Sequence, residues 1–186
     1  MLAINYLETS KAFFGGFAKV LNAMRTCRKI VVVRVQGKTT GGGVGIACAA
    51  DYCFATENAS LALTEINLGI GPFVIGPYVE RKIGKSQFTA MAIDADFRSA
   101  NWAEQHNIYH SVSPTIAEMD SEITRFIEKL ASRSSDALAL IKKVSWEGTE
   151  HFTELSPERI HMSASLILED TAKKNIEKIK ENLRAK

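Results

Sequence analysis

Apolar residues recur at helical spacing near the start of the chain and again throughout its last third. Between residues 6 and 26 this spacing predicts an amphipathic helix with one apolar face. The residues on that face are Phe13, Phe14, Phe17, Val20, Leu21 and Met24. From residue 116 onward the pattern predicts four more helices, over residues 116–132, 135–146, 154–169 and 172–183. Because proline is favoured in the first turn of a helix, Ser156-Pro157 is an alternative start for the third of these.

The middle of the chain alternates short apolar runs with glycine and turn residues. Residues 30–35 are β-branched and almost continuously apolar, which predicts a strand buried on both faces. Gly84 is the expected stop of one helix, and Ser99 is the expected N-cap of another. The other predicted elements are a glycine-opened helix over 41–50, strands over 52–55, 60–63 and near Val112, and helices over 74–83, 86–93 and 100–106. This order predicts an α/β body over residues 1–115 and a helical region over 116–186 within one structural unit.

Composition and charge narrow the function classes. Apolar residues make up 46% of the 186 residues and charged residues 24%, which is typical of a globular domain. A formal net charge of only +2 gives no reason to expect nucleic acid as a partner. The apolar runs are far shorter than a membrane span, and the first residues lack the pattern of a secretory signal. We therefore expect a cytoplasmic protein that binds neither nucleic acid nor membrane.

Cysteine and histidine are placed in a way that argues against a metal site. Cys27, Cys48 and Cys53 have no framework spacing and lie among apolar neighbours, so we expect buried free thiols. The sequence contains no CxxC pair, and its histidines lie far along the chain. No metal is expected.

A run of glycines follows the first predicted strand, and two phosphate-binding motifs fail to explain it. A P-loop ending at Gly37-Lys38-Thr39 would need glycine at position 32, where Val32 stands. The dinucleotide fingerprint fails in both registers, on Cys48 in one and on Ile46 in the other. The run can still place a helix N-terminus against an anion, including the oxyanion of a reaction intermediate. The alternative is that the glycines only allow close packing of a helix on a sheet.

Three stretches, GKTTGGGVGIACAADYCFAT, ASLALTEINLGIGPF and GPYVERKIG, together resemble the crotonase family of enoyl-CoA hydratases and isomerases. The resemblance extends over most of the chain. It implies a spiral of ββα turns, a C-terminal helical region that builds trimers or hexamers, and an acyl-CoA thioester as substrate. It implies no cofactor, since coenzyme A enters only as part of the substrate.

The resemblance also implies the site residues. Family members bind the thioester oxygen with two backbone N–H groups, and the one in the glycine run corresponds to Gly42, flanked by the substrate-binding Gly41 and Gly43. The second donor comes from an upstream F-x-A-G-x-D-L-like segment, which this sequence lacks. We therefore expect a member shortened at its N-terminus, with residues 1–115 forming a partial crotonase-like core. Pro72 and Phe73 are candidate substrate-binding residues.

The number of glutamates separates the possible activities within this family. Many hydratases of the family use two, but the first position here is Gly45, and only the second, Glu65, matches. A single carboxylate favours a proton shuttle, hence double-bond isomerisation of an enoyl-CoA. Some hydratases of branched, 3-methylglutaconyl-like CoA esters also resemble this pattern, so hydration remains an alternative. A third possibility is a catalytically impaired CoA-binding or subunit-interaction protein. Asp51 is expected to brace or cap the helix rather than to act in catalysis.

Overall fold

A computed structural model describes residues 6–184 and the side chains of residues 6–182, arranged as two small sheets surrounded by helices. Residues 1–5 of the predicted body and 185–186 of the predicted helical region lie outside the described part. The strands are β1 Val32–Val35, β2 Lys38–Thr40, β3 Tyr52–Thr56, β4 Ser60–Ala62, β5 Arg98–Ser99 and β6 Ser111–Ser113. One sheet has the order β1-β3-β6, all parallel. The other has the order β2-β4-β5, in which β2 and β4 are parallel and β4 and β5 antiparallel.

Helices follow these strands in a repeating order. In the described part of the chain they are α1 Leu7–Thr26, α2 Gly42–Ala49, α3 Gly76–Asp94, α4 Ala100–Gln105, α5 Ile116–Ala131, α6 Ser135–Ser145, α7 His151–Leu166 and α8 Asp170–Arg184. A short 3₁₀ helix spans Glu65–Leu68. The chain adds one strand to each sheet and then a helix, as β1-β2-α2 and again as β3-β4-α3. This is the ββα order that the resemblance to the crotonase family implied.

The core forms around α2, which is buried because its side chains are small and apolar. Val44, Ala47 and Cys48 of this helix are fully buried. From α1, Leu21 packs into the same cluster, and Val79 of α3 closes it from the other side. Burying such a helix leaves little room for side chains at its start, and this favours the glycines there.

Asp51, which follows α2, ties the helical region to the sheet. Its Oδ2 accepts from the N–H of Val31 at 2.8 Å and pairs with Nζ of Lys142 at 2.7 Å. Its Oδ1 accepts from Nε1 of Trp146 at 2.8 Å. Lys142 also donates to the carbonyl of Met24 at 2.6 Å, so α6 is bound to α1 as well. Asp51 thus braces the structure, as predicted, but it does so between elements rather than by capping α2.

Most predicted helices are confirmed, and the departures from prediction have local causes. The Ser99 hydroxyl accepts from the N–H of Trp102, as expected of an N-cap. The helices predicted over 74–83 and 86–93 follow one another within α3, and the helical backbone is interrupted between them at Gly84, as predicted, with φ of 75° and ψ of 160°. Pro157 lies inside α7 and is not its start, so that alternative is wrong. The helix begins earlier because buried Phe152 anchors its first turn, and this contact outweighs one lost helical hydrogen bond.

The cysteine prediction holds for two of the three residues. Cys48 and Cys53 are buried free thiols. Cys27 is also free but exposed, contrary to expectation. It is the C-cap of α1, where the chain leaves the helix at the surface.

Candidate active site

The glycine run and Glu65 meet because the strands that precede them are parallel neighbours. Thr40 at the end of β2 pairs with Ala62 at the end of β4. Just past the strands, the N–H of Gly41 donates to the carbonyl of Ala62 at 3.2 Å. Parallel neighbours end at the same edge of a sheet, so the residues that follow them are brought side by side.

Gly41 is needed for both its backbone conformation and its contact. Its φ is 51° and its ψ is −119°, a combination that side chains strongly disfavour. A Cβ built on this residue would lie 3.1 Å from Oε1 of Glu65. The absence of a side chain therefore lets the Glu65 carboxylate lie directly against the backbone of the glycine run.

Gly42 begins α2 and presents a free donor. Within residues 6–184 its N–H donates to no protein group. The first N–H groups of a helix lack intrahelical partners and carry a partial positive charge, so this end of α2 can bind an anion. A Cβ at Gly42 would lie 3.0 Å from Cζ of Phe17, which places the α1 ring directly over this glycine. Gly43 instead packs on β2, since its Cβ would lie 2.9 Å from Cγ2 of Thr39.

The Glu65 side chain is only partly exposed and is incompletely satisfied. Its Oε2 is buried and has no hydrogen-bond partner among the described residues. Burial raises the pKa of Glu65 above the ordinary glutamate value. A carboxylate with a raised pKa and an unpaired oxygen is well suited to accept a proton and return it.

The C-terminal helix supports the turn that carries Glu65. The 3₁₀ helix is followed directly by Gly69, whose φ is 81°. A Cβ at Gly69 would lie 3.5 Å from the backbone N of Ala172 in α8. Beside this contact, Ile70 is buried with Ile167 and Ala172 in a second apolar cluster. Sequence reasoning missed this support, because no local pattern links Gly69 to a helix a hundred residues later.

Gly45, the position where a second carboxylate would stand, is closed by a neighbouring side chain. A Cβ at Gly45 would lie 2.5 Å from Cγ2 and 2.9 Å from Cβ of Ile75. Ile75 is itself only 3% exposed and precedes α3 directly. A glutamate could enter at position 45 only if this part of the core moved.

Pro72 and Phe73 lie in a different environment from the other candidate residues. Both line a cavity of about 740 Å³ between α3 and α7, where Phe88 and Phe152 form part of the wall. Neither Glu65 nor the glycine run lines this cavity. The structure therefore brings Gly41, Gly42 and Glu65 together but not Pro72 or Phe73, and a substrate-binding role for these two stays a prediction.

The described residues contain neither a metal site nor a membrane-spanning helix. Side chains of His, Cys, Asp and Glu form no group of three or more there that could hold a metal ion. No helix in that part of the chain combines the length and apolarity needed to cross a membrane.

The sequence of this chain is similar to those of known proteins. The family model described as Enoyl-CoA hydratase/isomerase matches residues 2–185. A trans-2-decenoyl-[acyl-carrier-protein] isomerase of Streptococcus mutans is 24% identical over 170 residues, covering 90% of this chain and 64% of that protein. A mitochondrial enoyl-CoA hydratase of Pongo abelii is 30% identical over 138 residues, covering 74% of this chain and 47% of that protein. The chain thus spans about half to two thirds of the length of these relatives.

A solved structure supports the fold directly. An enoyl-CoA hydratase from Mycobacterium avium superposes with a TM-score of 0.86 at 21% sequence identity, covering 95% of this chain and 69% of that chain. At this identity the likeness establishes the fold alone. It confirms the expected crotonase-like α/β architecture with C-terminal helices.

Proposed function

The chain belongs to the enoyl-CoA hydratase/isomerase family, and from this premise we propose that it moves a double bond within an enoyl-CoA thioester. The observation that carries the proposal is the pairing of one Glu65 carboxylate with the glycine run, at a site where Ile75 closes the position of a second carboxylate. One unpaired carboxylate suffices for proton transfer between two carbons of the same substrate.

In the proposed reaction, Glu65 removes a proton from C2 of a 3-enoyl thioester. The electron pair that is left spreads over a dienolate, and the negative charge develops on the thioester oxygen. The free N–H of Gly42, at the positive end of α2, donates a hydrogen bond to that oxygen. Glu65 then returns the proton at C4, which leaves a double bond between C2 and C3. The raised pKa of Glu65 favours the first of these two transfers.

Hydration of an enoyl-CoA, including a branched 3-methylglutaconyl-like ester, is the second candidate. It is favoured by the match to a protein named as an enoyl-CoA hydratase. Against it, Ile75 leaves no space at Gly45 for a second carboxylate to hold the attacking water. A third candidate, a CoA-binding or subunit-interaction protein with little activity, would bind acyl-CoA without turning it over.

The deciding experiment is the substitution Glu65→Gln, which keeps the shape of the side chain but removes the base. Isomerisation of 3-hexenoyl-CoA should fall by about 100- to 10,000-fold, the usual contribution of general acid–base catalysis. Binding of the CoA ester, measured by calorimetry, should change little. Glu57→Gln is the matched control, since Glu57 is an exposed carboxylate in the turn after β3.

Retention of most turnover in Glu65→Gln would exclude Glu65 as the shuttle. If the unsubstituted chain instead hydrates 2-butenoyl-CoA faster than it isomerises 3-hexenoyl-CoA, the second candidate replaces the first. Binding without either reaction would leave the third.

We also infer that the chain assembles into a homo-trimer or hexamer. Apolar side chains of the C-terminal helices remain exposed, among them Leu140 at 61%, Ile141 at 59% and Val144 at 62%. An exposed apolar patch of this kind is typical of a subunit interface. Light scattering at micromolar concentration should give a mass of three or six chains, and a stable monomer would contradict the inference.

A further inference from the structure

A second cavity, of about 350 Å³, lies apart from Glu65 and contains an unusual polar pair. Its wall is largely apolar and is formed by Phe126, Leu130, Leu138 and Ile141, among others. Lys82 of α3 and His110, which directly precedes β6, also line it. None of these residues has a part in the proposed isomerisation.

The hydrogen bonds of His110 determine its tautomer. The backbone N–H of Cys53 donates to Nδ1 of His110 at 3.0 Å, and the ring stacks on Tyr52 with centroids 4.7 Å apart. Because Nδ1 uses its lone pair to accept that bond, the proton of the neutral ring is on Nε2. Burial, the largest cause, lowers the pKa of His110 below the ordinary histidine value. The imidazole is therefore neutral at pH 7, with Nε2–H as a donor.

That donor faces the Lys82 amine. Nζ of Lys82 lies 3.4 Å from Nε2 of His110. An ammonium group has no lone pair to accept a hydrogen bond, whereas the free amine has one. The contact is therefore satisfied when Lys82 is the neutral amine.

The other groups around Lys82 supply no counterion. In the described part of the chain no carboxylate lies within 4.0 Å of Nζ, whereas Lys142, in the wall of the same cavity, pairs with Asp51 at 2.7 Å. The nearby thiols of Cys48 and Cys53 are buried, which raises the pKa of each to about 12 and keeps both uncharged at pH 7.

The remaining influences on the pKa of Lys82 are burial and the charges of Arg81 and Asp51. Burial lowers its pKa, and the neighbouring Arg81 guanidinium lowers it further. Asp51 opposes this from a distance, but its charge is already shared with Lys142. Lys82 is thus a desolvated lysine beside another cation, which is the environment that makes a lysine nucleophilic.

We propose that Lys82 is an imine-forming residue that captures a small apolar aldehyde or ketone in this cavity. The amine nitrogen attacks the carbonyl carbon, and the carbonyl oxygen takes up the proton that the nitrogen loses. The resulting carbinolamine then loses water to give a C=N bond, so that amine and carbonyl compound yield imine and water without oxidation or reduction. The apolar part of the wall favours a hydrocarbon chain behind the carbonyl, because an apolar chain loses nothing on leaving water for such a surface.

The test is trapping of the imine with hexanal and cyanoborohydride at pH 7, followed by mapping of alkylated lysines by mass spectrometry. Lys85 is an internal control on the same helix, since it is exposed and makes only a 3.7 Å ion pair with Glu80. Lys82 should be labelled faster than Lys85, because a lowered pKa leaves a larger fraction of the lysine as free amine at pH 7. Lys82→Met should lose this label and keep the others.

A second aldehyde and a second variant make the result decisive. The second aldehyde is formaldehyde, which is smaller than hexanal. If hexanal labels Lys82 no faster than Lys85, the proposal is wrong, even if formaldehyde labels Lys82. Glu65→Gln should leave the labelling of Lys82 unchanged, so failure of the proposed isomerisation would not affect this outcome.

Discussion

Gly45→Ala tests whether the second carboxylate position is really closed. The substitution adds one methyl group to buried α2, at 2.5 Å from Cγ2 and 2.9 Å from Cβ of Ile75. Leu21 lies on another side of the new group, with Cδ1 at 3.7 Å. Ile75 cannot swing into solvent, because it is 3% exposed and directly precedes α3. The methyl group must therefore push the start of α3 away from α2.

The size of the effect follows from two opposing contributions. Inserting a methyl group into a packed core costs about 1–3 kcal/mol, and contacts as short as these belong at the upper end of that range. Replacing glycine by alanine within a helix stabilises the helix by about 1 kcal/mol. The net loss of unfolding free energy should be about 2 kcal/mol. For a chain of this length that corresponds to a fall in Tm of roughly 4–8 °C.

The assay is thermal unfolding followed by circular dichroism, with Gly16→Ala as the matched control. Gly16 lies exposed within α1, and a Cβ there would meet nothing within 4 Å. This control should raise Tm, because it gains helix propensity without a clash. If Gly45→Ala is as stable as Gly16→Ala, Ile75 yields easily. In that case the position is open, and the argument that Ile75 excludes a second carboxylate fails.

Two predictions concern buried charge. Asp51→Asn leaves Lys142 without its carboxylate and should lower the free energy of unfolding by about 3–5 kcal/mol in urea denaturation; a loss below about 1 kcal/mol would contradict the bracing role. Burial raises the pKa of Glu65, so the folded chain keeps the carboxyl proton of Glu65 to higher pH than the unfolded chain does. The protonated carboxyl group therefore stabilises the fold at acid pH, and this contribution is lost as the pH rises through the raised pKa. The Tm of Glu65→Gln, relative to that of the unsubstituted chain, should therefore rise as the pH increases from about 4, near the ordinary glutamate pKa, and a difference that stays constant with pH would count against a buried Glu65 carboxylate.

Local sequence patterns determined much of the secondary structure. The helices α1, α5 and α6 follow from their apolar periodicity, and the N-cap at Ser99 follows from its hydroxyl. The short strands β2 and β5 were missed, because two or three residues carry no periodic signal and form strands only when β4 pairs with both of them. Gly84 was recognised as an interruption, but whether the chain stops there or continues as one kinked element depends on the packing of both halves.

The candidate site was likewise predictable from the sequence only in part. The glycine run and Glu65 could be selected from the sequence through their resemblance to a family. Their contact exists only because β2 and β4 are parallel neighbours that end at one edge. No sequence motif predicts the contact of Ile75 with Gly45 or that of Lys82 with His110, since each contact joins elements that are distant along the chain. Periodicity and capping act within a few residues of one element, whereas these contacts depend on how folded elements pack, and only the tertiary structure decides that.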